Sequence, residues 1–235
     1  MTQTQHMYKE NAKSLNWFVG CDHECVYCLP SFQRQMKRQK CELCKGYIPH
    51  THLERLKKPP PKTSGKDFIF FPSSGDIRFA PKEAIQQAMD YAKKYSDRTF
   101  LTQSKNPEVF IDYDIPKNMI VGTTIETNRV CFYTPSEYHY YAWISIAPIP
   151  EKRFHSMTRL TWARQEVTIE PILDFDLPIL NDWIHRINPE FVYIGYDNHN
   201  CKLPEPKLAY TQRLIDVLSE DFEVRIKTLR KAWYE

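Results

Sequence analysis

Short runs of apolar residues alternate along the chain with stretches in which apolar residues recur every three or four positions. The continuous runs predict buried strands at 15–20, 67–71, 99–102, 119–125, 166–172, 191–195 and 223–226. The helical spacing is clearest after Pro81, where one stripe is formed by Ala84, Ile85, Ala88, Met89 and Ala92. It recurs over 179–187 and 206–218, whereas 143–149 fits either a strand or an extended loop bounded by proline.

An alternation of helices with strands that are apolar throughout is typical of a parallel sheet covered by helices. Six or seven strands in one domain, 1–235, favour an α/β barrel or open barrel over a flat, doubly wound sheet. In both architectures the chemistry lies where the strands end. We call the edge of the sheet at which the strands end the mouth. The residues expected there are Cys21, Ser73, Ser74, Gly75, Asp76, Gln103, Glu126, Glu170 and Tyr196.

One segment interrupts this alternation. Residues 31–66 are polar and basic, and 31–62 contain nine Lys or Arg against two Glu. The whole chain of 235 residues carries a formal net charge of only +3, so the remainder is slightly acidic. The sequence therefore predicts that 31–66 form a basic lobe inserted between the first and second strands.

Composition excludes several classes of protein. The six glycines are too few and too widely spaced to form a dinucleotide-binding fingerprint or a phosphate-binding loop. No stretch is long and apolar enough to span a membrane, and the first thirteen residues contain no apolar signal region. We therefore expect a soluble, cytoplasmic protein with no membrane partner.

Five of the seven cysteines lie between positions 21 and 44, and the odd number favours metal binding or redox chemistry over a disulfide framework. Three of them form the pattern Cys21-x-x-x-Cys25-x-x-Cys28 directly after a predicted strand. Three thiolates at this spacing can hold a [4Fe–4S] cluster and leave one iron open for another ligand. A structural zinc site with His23 as the fourth ligand is the alternative.

A second group of metal-binding residues lies in the basic segment. Cys41-x-x-Cys44 is followed by His50 and His52, and together they supply four sulfur and nitrogen donors, the number that tetrahedral zinc requires. The spacing indicates a zinc knuckle that would maintain the shape of the segment. A second iron–sulfur cluster, or free thiols beside exposed histidines, are the alternatives.

The first cysteine group resembles the hallmark of the radical S-adenosylmethionine (radical SAM) superfamily, CxxxCxΦC, in which an aromatic residue, here Tyr27, precedes the last cysteine. The stretch 17–28 resembles the opening of the spore-photoproduct-lyase-like branch. Segments 122–129 and 168–176 are similar to parts of a small archaeal and phage-associated radical SAM group. The resemblance covers most of the chain and implies a partial (β/α)6 TIM-like barrel.

The resemblance also implies a chemistry. Cys21, Cys25 and Cys28 would bind a [4Fe–4S] cluster whose open iron chelates S-adenosylmethionine, with Tyr27 near the adenine. An external electron donor would reduce the cluster, and reductive cleavage of S-adenosylmethionine would give a 5′-deoxyadenosyl radical. That radical would abstract hydrogen from a substrate.

Further cofactor contacts are implied by position. Ser73, Ser74, Gly75 and Asp76 stand where the family has a Gly-Gly-Glu motif whose backbone meets the methionine amino group. The serines and the aspartate depart from that motif. The alternative is a plain turn that caps the next helix.

Three polar residues near later strands are the remaining candidates. Glu126 and Asn128 follow the fourth predicted strand, where family members bind the ribose hydroxyls or the methionine carboxylate. A surface salt bridge is the alternative for Glu126. Glu170 falls inside an apolar run, and a buried carboxylate is costly without partners, so we expect Glu170 to lie deeper than Glu126.

Two functions from different classes follow. The first is a radical SAM enzyme acting on a nucleic acid or nucleotide, because the basic segment carries Phe32, Tyr47 and several arginines that can contact bases and phosphates. A peptide or a small anionic metabolite is also open as substrate. The alternative function is a non-catalytic, zinc-stabilised nucleic-acid-binding protein.

Overall fold

The computed structural model describes residues 8–133 and 138–235. Residues 1–7, which belong to the stretch for which we expect no signal region, and residues 134–137 lie outside that description. The described strands are β1 (Asn11–Ser14), β2 (Phe18–Val19), β3 (His50–Thr51), β4 (Phe68–Phe70), β5 (Phe100–Gln103), β6 (Met119–Thr124), β7 (Cys131–Tyr133), β8 (Tyr138–Tyr140), β9 (Arg164–Ile169), β10 (Phe191–Ile194) and β11 (Glu223–Ile226).

The described helices alternate with these strands. They are α1 (Leu29–Met36), α2 (Glu42–Lys45), α3 (Lys82–Lys94), α4 (Pro150–Thr158), α5 (Leu177–Ile187) and α6 (Leu208–Leu218). The predicted apolar stripe of α3 is confirmed, since all five of its residues are buried. Within the described part of the chain, no helix is long and apolar enough to cross a membrane.

Seven strands form one parallel sheet in the order β1-β4-β5-β6-β9-β10-β11. Each new strand is added on the same side of the previous one, which is the winding of a barrel, whereas a doubly wound sheet reverses direction. The prediction of an α/β partial barrel is therefore confirmed. The parallel arrangement brings the carboxyl ends of all seven strands to one edge.

Both faces of the sheet are buried, which explains the continuous apolar runs. On β4, Ile69 packs on the helix side, while Phe68 and Phe70 pack on the inner face. β10 repeats this alternation, with Val192 on the helix side and Tyr193 on the inner face. The helix-side cluster is the larger of the two and includes residues from α3, α4, α5 and α6.

The first predicted strand is partly wrong. The sheet strand β1 lies earlier, over a polar stretch, and the apolar run 15–20 contributes mainly to β2. β2 leaves the sheet and pairs antiparallel with β3 from the basic segment. The sequence pattern missed β1 because its one buried residue is Asn11, whose Oδ1 accepts a hydrogen bond from the Phe70 N–H (3.3 Å).

The inner face also carries a polar cluster. Gly122 on β6 lies opposite Glu166 on β9, and a Cβ at Gly122 would lie 1.8 Å from Glu166 Oε1, so only glycine leaves room for that carboxylate. Gln103, which was expected at the mouth, donates to Glu166 and to Thr168 and accepts from the Tyr8 hydroxyl (3.0 Å). Burial raises the pKa of Glu166 to about 7.

Candidate functional site

The loop between β2 and α1 carries the first three cysteines. Cys28 is the N-cap residue of α1, and the Cys25 carbonyl accepts a hydrogen bond from the Leu29 N–H (3.0 Å). Cys25 is buried, whereas Cys21 and Cys28 are partly exposed, and none of the three is in a disulfide. The loop therefore presents three free thiols at the edge where the strands end.

The segment before α4 braces this loop. The Val26 N–H donates to the Ile144 carbonyl (3.0 Å), and the Ile146 N–H donates to the His23 carbonyl (3.1 Å). The ambiguous run 143–149 is thus the end of a short 3-10 turn (Tyr141–Trp143) followed by a loop, and it belongs to no strand.

The thiols differ in their electrostatics. A hydrogen bond from Cys28 lowers the pKa of Cys25 to about 5; burial opposes the shift, while the charge of Lys105 and a contact with the Ser145 hydroxyl (3.0 Å) support it. Burial raises the pKa of Cys21. The site thus favours a thiolate at Cys25 even without a bound metal.

Two glycines let the cysteine loop meet the turn after β4. Gly20 has φ +104°, and a Cβ there would lie 2.5 Å from the backbone nitrogen of Pro49. A Cβ at Gly75 would lie 2.9 Å from the Gly20 carbonyl oxygen. The Gly20 N–H donates to the Ser74 carbonyl (3.0 Å), and the Asp76 N–H donates to the Gly20 carbonyl (3.1 Å).

In the turn 73–76, which was predicted to contact the cofactor, several backbone groups already form hydrogen bonds within the protein. Asn16 Oδ1 accepts hydrogen bonds from the backbone N–H groups of Ser73 (2.7 Å) and Ser74 (3.0 Å). The Asp76 N–H and the Ser74 carbonyl are both engaged with Gly20. A role of these residues in cofactor binding stays a prediction.

Asp76 joins three segments through its buried carboxylate. It accepts from the Ser104 hydroxyl (2.6 Å) and the backbone N–H groups of Arg78 (2.9 Å) and Lys105 (2.8 Å), and it pairs with His23 Nε2 (3.1 Å). Burial acts to raise the pKa of Asp76, but the hydrogen bond and charge of His23 outweigh burial and lower it. Asp76 thereby fixes His23 of the cysteine loop against the end of β5.

Glu126 is the centre of a second buried network. Its carboxylate is fully buried and accepts hydrogen bonds from Tyr27, Lys105 and Tyr141 (3.1 Å for Tyr141). Arg153 of α4, also fully buried, lies 2.9 Å from Glu126 Oε2. The structure therefore brings together two residues expected at the cofactor, Tyr27 and Glu126.

This network contains two cations and one anion. Burial would raise the pKa of Glu126, but Arg153 and Lys105 overcome that effect and hold it at about 2. The Lys105 ammonium also lies 4.7 Å from the centroid of the Tyr27 ring. The unbalanced positive charge lies near Cys25, which it helps to keep deprotonated.

Glu170 does not lie deeper than Glu126, so that expectation is wrong. β9 ends at Ile169, and Glu170 is the first residue after it. Its side chain keeps 9% of its surface exposed, against 0% for Glu126, and it pairs with Lys227 and accepts from Asn198 (3.1 Å). The predicted strand 166–172 extends too far because Pro171 and Ile172 are also buried, although they follow the end of β9, and Ile172 packs in the helix-side core.

Two other candidates lie away from the Glu126 network. Asn128 Oδ1 accepts a hydrogen bond from the Asp176 N–H (2.8 Å) and so fixes the start of α5. Tyr196, expected at the mouth, is instead buried in the helix-side core, where its hydroxyl contacts Thr211 (2.7 Å).

The sequence reasoning missed Lys105 and Arg153. Gln103 was selected because it follows a predicted strand. Lys105 lies two residues beyond the end of β5, so including the next two residues would have selected Lys105 as well. Arg153 lies in a polar helix that resembles a solvated surface, and no signal in the sequence marks it as buried.

Among residues 8–133 and 138–235, two groups could hold a metal ion. The donor atoms of Cys41, Cys44, His50 and His52 lie within 4.8 Å of one another, and so do those of Cys21, His23 and Asp76. The second group combines Cys21 and His23 of the cysteine loop with Asp76, and it does not include Cys25 or Cys28. The first confirms that the four residues chosen by spacing meet in space.

The chain has the fold of spore photoproduct lyase. A structure of spore photoproduct lyase complexed with dinucleoside spore photoproduct aligns with a TM-score of 0.60 and 9% sequence identity, over 91% of this chain and 76% of that chain. A variant with bound AdoMet and dinucleoside spore photoproduct aligns with a TM-score of 0.52 and 10% identity, over 89% and 60% of the two chains. No family model and no curated protein matches the sequence.

Replacing Glu126 by Gln tests the buried network. The change leaves Lys105 and Arg153 buried without their anion, and we expect the free energy of unfolding at pH 7 to fall by about 3–5 kcal/mol. Urea denaturation measures this. Glu190→Gln is the matched control, because that carboxylate pairs with Arg164 at the surface and its loss should have little effect. Equal stability of the two variants would contradict the assignment.

Proposed function

We propose that this protein is a radical SAM enzyme that acts on a nucleic-acid or nucleotide substrate. The observation that carries the proposal is the cysteine triplet at the carboxyl edge of a parallel partial barrel with the fold of spore photoproduct lyase. Cys21, Cys25 and Cys28 would hold a [4Fe–4S] cluster through three thiolates, leaving one iron for S-adenosylmethionine.

The residues present fit such a cluster. The three thiols are free, they share one loop, and that loop is fixed by backbone hydrogen bonds on two sides. Lys105 supplies a nearby positive charge that complements thiolate ligands. When bound, the cluster and S-adenosylmethionine would supply the reductive cleavage that generates a 5′-deoxyadenosyl radical.

In this proposal, residues around the cysteine loop bind and orient the cofactor. Tyr27 offers an aromatic face beside Cys28, and its hydroxyl is fixed by Glu126. Glu126 remains ionised although it is buried, and its ion pair with Lys105 holds the Lys105 ammonium at the mouth. The Lys105 ammonium is then positioned to meet an anionic group, such as the methionine carboxylate of the cofactor.

The positive charge of the basic segment supports a nucleic-acid substrate. The basic segment exposes Lys37, Arg38 and Lys40 directly after α1, the helix that begins at the cysteine loop. Phe32 and Tyr47 stack at 5.3 Å between ring centroids in the same segment. The two similar lyase structures bind a dinucleoside spore photoproduct, which belongs to the same chemical class as a nucleotide substrate.

The alternative, a non-catalytic protein whose cysteines all bind zinc, is less well supported. Among the described residues, the converging donors near the cysteine loop are Cys21, His23 and Asp76, which are three donors, whereas structural zinc takes four. Colour distinguishes the two functions, since an iron–sulfur protein absorbs visible light and a zinc protein does not.

Cys25→Ala should abolish cluster binding, because two thiolates cannot replace three. After anaerobic reconstitution, we expect the variant to lose the broad absorption near about 400 nm and most of its iron. Cys131→Ala is the matched control, because Cys131 lies on the β7–β8 hairpin, and it should keep the iron content of the wild type. Full iron in Cys25→Ala, or a colourless wild type, would contradict the proposal.

Exchanging Lys37, Arg38 and Lys40 for Gln should weaken binding of a single-stranded oligonucleotide and reduce its salt dependence. Each lost phosphate contact lowers the slope of log K against log salt by about 0.7. The matched control carries the same change of charge at Lys82, Lys93 and Lys94, which are exposed on α3. An unchanged slope in the first variant would exclude this surface as the nucleic-acid contact.

A further inference from the structure

The side chains of Cys41, Cys44, His50 and His52 point their donor atoms at one centre. His50 Nε2 lies 3.4 Å from Cys41 Sγ and 3.4 Å from Cys44 Sγ, and His52 Nε2 lies 3.2 Å from Cys44 Sγ. The two Nε2 atoms are 2.9 Å apart. The cysteines come from the turn that opens α2, and the histidines come from β3 and the residue after it.

Hydrogen bonds alone cannot account for this convergence. An imidazole nitrogen carries either one hydrogen or one lone pair, so it satisfies one partner. His50 Nε2 has three neighbours at contact distance, namely Cys41 Sγ, Cys44 Sγ and His52 Nε2. A single cation between the four donors satisfies all of them at once.

The distances agree with tetrahedral zinc. Zn–S bonds of about 2.3 Å and Zn–N bonds of about 2.0–2.1 Å place neighbouring donors roughly 3.3–3.8 Å apart in a tetrahedron. The two sulfur-to-nitrogen distances of 3.4 Å lie at the lower end of that range, and the third, 3.2 Å, lies just below it. The His–His distance is shorter, and a shift of a few tenths of an ångström would bring it into the range.

The outer nitrogens of both histidines are already oriented. His50 Nδ1 lies 2.7 Å from the Ile48 carbonyl, and His52 Nδ1 lies 2.9 Å from Glu54 Oε1. Since a carbonyl and a carboxylate only accept, each Nδ1 carries the hydrogen, and each Nε2 keeps its lone pair for the centre. Partners of this kind fix the tautomer of metal-binding histidines in proteins.

We propose that Cys41, Cys44, His50 and His52 bind one structural Zn²⁺ ion. Two thiolates balance the charge of the ion, and two sulfur with two nitrogen donors in a tetrahedron favour zinc among the common metals. Four protein ligands leave no open position, so the ion performs no chemistry.

The position of this site indicates a structural role for the ion. It joins α2 to β3, and β3 pairs with β2, whose next residues are Gly20 and Cys21. Cys44 is 1% exposed and packs with Val19 and Tyr47. The ion therefore fixes the basic segment beside the cysteine loop, and this assignment is independent of the function proposed above.

Metal analysis of the full chain tests the site. We expect about one zinc per chain in the wild type and in Cys25→Ala, and none in Cys44→Ser. Retention of zinc by Cys25→Ala separates this site from the cluster, whatever the outcome for the radical SAM proposal. A wild type without zinc, or zinc retained by Cys44→Ser, would overturn the assignment.

A matched pair of exposed glutamates avoids variants that fail to fold. Glu54→Gln weakens the acceptor for His52 Nδ1, and we expect zinc affinity, measured by chelator competition, to fall by about 10–100-fold. Glu42→Gln removes a carboxylate of the same segment that contacts only Lys45 among the ion pairs, and it should leave the affinity unchanged. Equal affinities in the two variants would contradict the proposed geometry.

Discussion

The buried carboxylate of Glu126 connects several parts of the mouth. It lies beyond β6 and contacts Lys105 beyond β5, Arg153 of α4 and Tyr27 of the cysteine loop. Because water has no access, the ions depend on one another for solvation, and removing one leaves the others uncompensated. The relative positions of two strand ends, one helix and the cysteine loop thus depend on a single anion.

The cysteine loop is consequently held from several directions. Asp76 binds His23 and the end of β5, while the loop before α4 pairs with the backbone around Val26. Gly20 allows the basic segment to pack against the beginning of the loop. Such a fixed loop is suited to binding a rigid inorganic group, because little conformational entropy is lost when the group binds.

The fold could be predicted further from the sequence than the site could. Strands such as β6 and β10 are buried on both faces and therefore appear as apolar runs in the sequence. β1 is polar, so the apolar pattern did not predict it. The candidate metal-binding residues could be selected from the sequence because their spacing is local. Lys105 could have been found by extending the strand-end rule two residues beyond β5. Arg153 could not be recognised, because its burial depends on Glu126, which is distant in sequence, and nothing local distinguishes a buried arginine from an exposed one.

Release of 5′-deoxyadenosine tests the central claim most directly. The full chain, reconstituted anaerobically with iron and sulfide, would be mixed with S-adenosylmethionine and dithionite, and the products would be separated by liquid chromatography. The account predicts 5′-deoxyadenosine and methionine in equal amounts, with neither product from Cys25→Ala. Iron-loaded wild-type protein that releases no 5′-deoxyadenosine, with or without a single-stranded oligonucleotide, would contradict it.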